Sequence, residues 1–381
     1  MVRVASARSI VATIALGAAC TRAPADVEIA IGYGNGSPPN AITVASEVIA
    51  AAERPTETRI RATIDPRPSA NGTTLSLSDE VEHATRVVAN KKVMIAVGPG
   101  GSREALQAAP IYRDAGVPEL LPAATSRLLR TAGPWTFRLS PDDSVQGEFI
   151  GRFVADQLHG HAVTLFYIAD EYGLGLSAGT AAALAQRGVR VVDRVPVTPS
   201  KRCQPQSPTN EYENQVAASL KHGTPDVVVI AGRGGETACI ARAAHAHVPA
   251  ARFVAGDGAE ATEQFLQLAG AAADSLYLVA FWHPDRDDAA SRAFVAHFRR
   301  VVGRMPRHSD ATWYDAILLA AQAIREAGAD RAAIRGWLES LGRTRPPYQG
   351  VTGPIAFTPE AVRPLVMIRV RGSGTVLAPV P

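Results

Sequence analysis

The sequence predicts an α/β chain built on parallel sheets and divided into two lobes. Three observations carry that expectation. Runs such as Val-Met-Ile-Ala-Val at 93–97 and Val-Val-Val-Ile at 227–230 are apolar at every position, as strands covered on both faces by helices are. These runs alternate with amphipathic helical stretches, the pattern of βα units. The units are too many for one small sheet, and 381 residues suit roughly two or three domains of ~100–200 residues each. Composition agrees with a folded chain. With 46% hydrophobic and 20% charged residues the chain is not disordered, and its 32 glycines and 27 prolines follow no fixed period, which excludes a collagen-like one.

The first element is an export signal at 1–19. Arg3 and Arg8 are the only charges before residue 20, residues 9–19 are apolar or small, and Cys20 follows. That apolar run is too short for a bilayer, which needs ~20 residues, and no later uncharged segment reaches that length, so no transmembrane helix is predicted. The small residues before Cys20 resemble a bacterial lipoprotein signal, although Leu16 stands one place further back than usual. Lipidation at Cys20 is the expectation, with plain cleavage after Ala19 or Ala25 as the alternative.

Strands are then expected at 27–32, 59–64, 93–97, 163–168, 189–195, 227–231 and 276–281. The first clear helix opens near Ser78, with Asp79 and Glu80 in its first turn and Lys91 and Lys92 at its end, an order that suits the helix dipole. Its apolar face would be Val81, Ala84, Val87 and Val88. A second starts at Ser140-Pro141-Asp142-Asp143, with Val145, Phe149, Ile150, Phe153 and Val154 on one stripe. A third presents Phe294, Val295, Phe298, Val301 and Val302. After Leu341 the helical pattern fades. Short β-like runs at 354–357, 365–370 and 375–378 suggest a terminal antiparallel addition to a sheet.

The sharpest candidate site is Val97-Gly98-Pro99-Gly100-Gly101-Ser102, between the strand at 93–97 and a helix. Glycines allow a tight turn there, and Ser102 would stand at a helix N-terminus, whose free N–H groups attract an anion. Three more loops fall where strands end and helices begin: Ala123-Ala124-Thr125, Glu171-Tyr172-Gly173 and Gly256-Asp257-Gly258. In open α/β sheets ligands bind beyond these strand ends, so all four loops are candidates for one cleft, each with a routine βα turn as the plain alternative. Other chemistries fit poorly. No Gly-Lys-Ser/Thr closes a phosphate loop, Pro38-Pro39 interrupts the dinucleotide pattern begun at Gly32, and Gly100-Gly101-Ser102-Arg103-Glu104 lacks the last glycine of a nucleophile elbow. The histidines form no metal motif and no cofactor is expected. Net charge is +3 from 39 basic and 36 acidic residues, and the arginines are scattered, so no nucleic-acid partner is expected. Cys203 and Cys239 form either a disulfide, in an oxidising compartment, or two buried thiols.

Taken in order along the chain, these loops resemble the type I periplasmic binding proteins, in the branch that binds leucine, isoleucine, valine or related amino acids for ABC importers. The likeness spans about residues 27–375. It runs from Gly98–Ser102 with Pro110-Ile111-Tyr112, through Leu121-Pro122-Ala123-Ala124-Thr125, Asp143-Ser144-Val145-Gln146-Gly147 and Asp170-Glu171-Tyr172-Gly173, to Tyr314-Asp315-Ala316 and Gly350-Val351-Thr352-Gly353. The resemblance implies two doubly wound lobes joined by three crossovers, lobe I at 26–140 plus 281–351 and lobe II at 141–280 plus 352–381. It implies that Gly101 and Ser102 receive a ligand carboxylate, that Ala123, Ala124 and Thr125 contact the ligand, that Tyr172 closes over it, and that Asp257 counters its ammonium. Where relatives carry a second lobe II aromatic, this chain has Arg233-Gly234-Gly235, which implies a roomier pocket and an added positive charge from Arg233. An α-amino acid is favoured, with larger, acidic or other ligands open. The function so implied is non-enzymatic. It is an exported, lipid-anchored solute-binding protein on the periplasmic face, handing a small polar ligand to an inner-membrane permease. A ligand sensor of the same fold is the alternative, and an α/β enzyme acting on a phosphorylated substrate is a weaker third.

Overall fold

The uninterrupted apolar runs become the central strands of two sheets. The computed structural model describes residues 26–32, 39–54, 58–64, 77–198, 211–358 and 363–379. Residues 1–19, expected to be an export signal, Cys20, Cys203 and most of the loop after Gly32 lie outside these residues. The first sheet holds β1 (Asp26–Ile31), β2 (Arg59–Ile64), β3 (Val93–Val97), β4 (Glu119–Leu121) and β5 (Thr136–Arg138), in the order β2-β1-β3-β4-β5 and parallel throughout. The second begins with β6 (Ala162–Ile168), β7 (Arg190–Val197), β8 (Val227–Ala231), β9 (Arg252–Ala255) and β10 (Leu276–Ala280), parallel and in the order β7-β6-β8-β9-β10. Strands β3 and β8 are buried at every position, as their continuous apolar character requires.

The C-terminal part behaves differently, and no helix separates its strands among the described residues. A short ribbon of β11 (Tyr348–Gly350) and β12 (Gly353–Ile355) precedes β13 (Val366–Arg371) and β14 (Gly374–Leu377). Strand β13 joins the second sheet antiparallel to β10, and β14 pairs antiparallel with β13. Gly372, at φ +55°, turns the chain between them.

Each sheet carries its own apolar core. One is built from side chains such as Phe153, Phe166, Phe253 and Leu278, the other from Ile29, Ile95, Trp313 and Trp337. The helix His308–Ala327 brings the fully buried Trp313 against the turn after β3. A Cβ on Gly98 would lie 2.7 Å from the Trp313 ring and 2.9 Å from the Gly32 carbonyl, and φ there is +96°, so only glycine fits. On the second sheet, the helices Asp143–Arg152 and Glu171–Gln186 touch backbone to backbone. A Cβ on Gly147 would come within 2.5 Å of the Gly179–Thr180 peptide, and one on Gly151 within 2.5 Å of the Ala183 Cβ.

The chain passages between the sheets are tied by buried polar groups. Asp315, 1% exposed, accepts from the N–H groups of Val351 and Thr352, both at 2.8 Å, and from the Thr352 hydroxyl. Arg363 donates to the Leu139 carbonyl and to the Thr352 hydroxyl oxygen. Residues distant in sequence therefore meet in one hydrogen-bonded knot.

Several element expectations shift. The helix Leu77–Ala89 already includes Ser78. It buries Glu80, His83, Ala84 and Val87 but exposes Val81, so its inner face is turned from the apolar one expected. Val145 is exposed, whereas Phe149, Ile150, Phe153 and Val154 are buried. Asp142 caps its helix through the N–H groups of Ser144 and Val145. Tyr314-Asp315-Ala316 lies in the second turn of its helix rather than at the head, which is His308. No helix among the described residues is long and apolar enough to cross a membrane.

Candidate functional site

Both parallel sheets reverse their winding once, between β1 and β3 and between β6 and β8. Ligands bind beyond the strand ends at such switch points. There the structure opens a cleft of about 530 Å³, lined from the first sheet's side by Gly100, Gly101, Ser102, Ala123 and Thr125 and from the second's by Tyr172, Arg233, Asp257 and Gly258.

Ser102 is the first residue of the helix Ser102–Asp114, and the cap position is Gly101, which has no side chain to satisfy the first-turn N–H groups. The Ser102 hydroxyl oxygen accepts from the N–H groups of Thr125 at 3.1 Å and Ser126 at 3.0 Å. Its lone pairs are thereby engaged, and its own O–H remains as a donor. The same two bonds fix the Ala123–Thr125 loop against the helix start.

Asp170 sets the opposite wall. Its Oδ1 caps the helix Glu171–Gln186 by accepting from Tyr172 N at 3.1 Å and Gly173 N at 3.0 Å, and its Oδ2 holds Arg233 at 2.7 Å. Arg233 lies 6.0 Å from the centre of the Tyr172 ring. The Tyr172 hydroxyl accepts from Gly258 N at 3.0 Å, and a Cβ on Gly256 would sit 2.6 Å from that hydroxyl. The glycines on each side of Asp257 thus let the tyrosine reach the loop that presents the aspartate.

Two carboxyl groups near the cleft are short of partners. Asp257 is 8% exposed and its Oδ1 accepts no hydrogen bond from a described residue. Burial raises its carboxyl above the usual range, while the neighbouring His308, Gln146 and Tyr172 oppose that rise. Asp143 is fully buried, and burial, with Asp257 and Asp142 close by, pushes it up to about 8 against the pull of the Thr125 hydroxyl. Across the cleft, Glu260 accepts from Ser309 N at 3.0 Å and lies 3.2 Å from His308 Nε2, capping the start of the helix His308–Ala327.

Seven of the expected residues (Gly101, Ser102, Ala123, Thr125, Tyr172, Arg233 and Asp257) meet at this cleft. Ala124 does not. It is 1% exposed and packs with Ala105, Leu121 and Leu129, while its carbonyl accepts from the Ser140 hydroxyl, because successive residues of an extended loop point to opposite sides. The added positive charge expected from Arg233 is also corrected: Asp170 pairs with it, and Glu104 and Glu236 further stabilise its charge. Glu236, Glu260, Phe265, Phe281 and His308 line the cleft as well and were not foreseen. Glu236 opens a helix after β8, and a reading of every strand end would have found it; His308 arrives from far along the chain and leaves no local signal. Cys239 is disulfide-bonded, and Cys203, its expected partner, lies outside the described residues. No cluster of three or more metal-ligating side chains occurs among the described residues.

Comparison with known proteins places this geometry in context. A Leu/Ile/Val-binding protein homolog from Brucella abortus is 26% identical over 278 residues, 71% of this chain and 70% of that protein. The crystal structure of a leucine-binding protein from Thermotoga maritima superposes with a TM-score of 0.80 at 23% identity, covering 93% of this chain and 98% of the other. The branched-chain amino acid transporter substrate-binding protein of Streptococcus pneumoniae, solved with isoleucine, gives 0.77 at 21% identity, covering 93% and 100%. These likenesses establish the α/β fold of type I periplasmic binding proteins. The family model described as periplasmic binding protein matches residues 77–374, and the chain belongs to that family.

Proposed function

We propose that this chain is an extracytoplasmic solute-binding protein of an ABC importer that holds an amino acid or related small polar ligand between two lobes. Lobe I would comprise 26–140 and 281–351, and lobe II 141–280 and 352–381. The observation that carries the reading is the polarity of the cleft. One wall offers donors, the Ser102 O–H and the uncapped first turn of its helix, with the Glu104 carboxylate packed beside Gly101. The other offers Asp257 with an unused oxygen. A carboxylate suits the first and an ammonium the second.

A ligand touching both walls stabilises the closed arrangement over the open one, and the permease would read that difference. Tyr172 would cover the ligand from lobe II. We assign no catalytic step. The Ser102 oxygen is engaged by two backbone N–H groups and no histidine or carboxylate hydrogen-bonds to it among the described residues. Cys20 would be lipidated and anchor the protein outside the cytoplasm. Detergent phase partitioning of the full chain and of Cys20→Ser reads this directly, and equal partitioning of the two refutes the anchor.

A thermal-shift screen of amino acids, amides and small organic acids tests the main reading, since a ligand that binds only the native state raises its melting temperature. Calorimetry on the best ligand should show Ser102→Ala and Asp257→Ala each weakening it by about 1–3 kcal/mol. Unchanged affinity in both variants would remove the site.

A further inference from the structure

Once an α-carboxylate and an α-ammonium are placed, the cleft keeps a surplus of negative charge. Glu236 and Glu260 line it alongside Asp257. The one guanidinium among the lining residues belongs to Arg233, already 2.7 Å from Asp170 and further compensated by Glu104 and Glu236. His308, the other basic side chain among the described lining residues, lies 3.2 Å from Glu260, so a second anionic group on a ligand would meet carboxylates whose basic neighbours are already engaged. Both glutamates are held in place from behind. Glu260 accepts the Ser309 N–H at 3.0 Å, and Glu236 is fixed by its place at the third position of its helix.

The cleft also has length. Among the described residues, a Cβ on Gly235 would meet nothing within 4 Å, and one on Gly234 only the edge of the Phe265 ring at 4.0 Å. Open space therefore lies over the start of the helix Gly234–His247. Phe265, Leu268 and Phe281 give apolar walls, against which a methylene stem packs while its charged tip reaches polar groups.

From this geometry we infer that the preferred ligand is an amino acid with a cationic side chain, its far amine or guanidinium met by Glu236 and Glu260. The inference rests on the reading of the cleft as an amino-acid site and names the side chain that site selects. It separates this chain from a site shaped for a small apolar side chain, which would leave two carboxylates facing hydrocarbon.

Titration calorimetry with arginine, lysine, leucine and glutamate tests it. Arginine or lysine should bind at least about tenfold more tightly than leucine, with glutamate weakest. Glu236→Gln and Glu260→Gln should each narrow the ratio of lysine to leucine affinity. Raising ionic strength on the unaltered protein should narrow it as well, which keeps the test independent of whether a variant folds. Leucine binding as tightly as lysine, or a gap indifferent to salt, overturns the inference and leaves the amino-acid site standing. Failure of all four amino acids overturns both.

Discussion

Two buried aspartates show how this chain separates construction from binding. Asp315, where the chain passes between the sheets, has its carboxylate filled by two backbone N–H groups and a hydroxyl, with Arg363 nearby. Asp257, in the cleft, is nearly as buried but leaves one oxygen without a donor. Burial raises both carboxyls, and Gln146, Tyr172 and His308 partly answer Asp257, yet only Asp315 has both oxygens filled by described residues. A buried acceptor left open costs stability, and under the proposed function a ligand ammonium would complete this one. The contrast teaches more than burial or charge taken alone, because it distinguishes a clasp from a receptor.

The largest expected effect breaks the clasp. Asp315→Ala strands two backbone donors and should lower the unfolding free energy by about 3–5 kcal/mol in denaturant titration; a loss below about 1 kcal/mol would mean the knot is incidental. Asp257→Asn should do the reverse. The ligand-free protein keeps or gains melting temperature, while ligand affinity falls by about 1.5–3 kcal/mol in calorimetry. A large drop in ligand-free stability would make Asp257 a second clasp and erase the contrast.

Asp143 gives a pH signature. Its folded carboxyl titrates at about 8, above the ordinary 3.8, so between those values the native state holds a proton that the unfolded chain has released. Its stabilisation is therefore complete below about pH 4 and is lost as pH rises toward 8. Unfolding midpoints of the ligand-free protein should fall over that window, and Asp143→Asn should flatten the fall; identical pH profiles would show that another group carries it. The smallest effect is the control. Glu148 pairs with Arg187 at the surface, its side chain half exposed, so Glu148→Gln should change stability by no more than about 0.5 kcal/mol.

Much of this was legible in the sequence because it is local. The longer parallel strands show as apolar runs, and the Ser102 and Tyr172 loops each follow one of them, while the Thr125 and Asp257 loops follow short strands that open on Glu119 and Arg252. What escaped is what depends on distant partners. Ala124 sits between two cleft residues, and only the bend of its loop turns it inward. Arg233 reads as a free charge until Asp170, 63 positions earlier in the numbering, is seen beside it. Glu80 and His83 are fully buried on a helix face that hydropathy alone assigns to water. His308 reaches the cleft only because its helix packs on the first sheet although it follows the second in sequence.

The antiparallel tail has a consequence for how such a chain is made. Strand β10 has one neighbour in β9, and its other edge is covered only by β13, which arrives long after it in sequence. During synthesis that edge stays open, with a row of unpaired N–H and C=O groups, until residues 366–371 have left the ribosome. The second sheet thus cannot seal β10 before residues 366–371 are free to pair with it, so its closure is tied to a segment 86 positions further along the chain than the edge it covers.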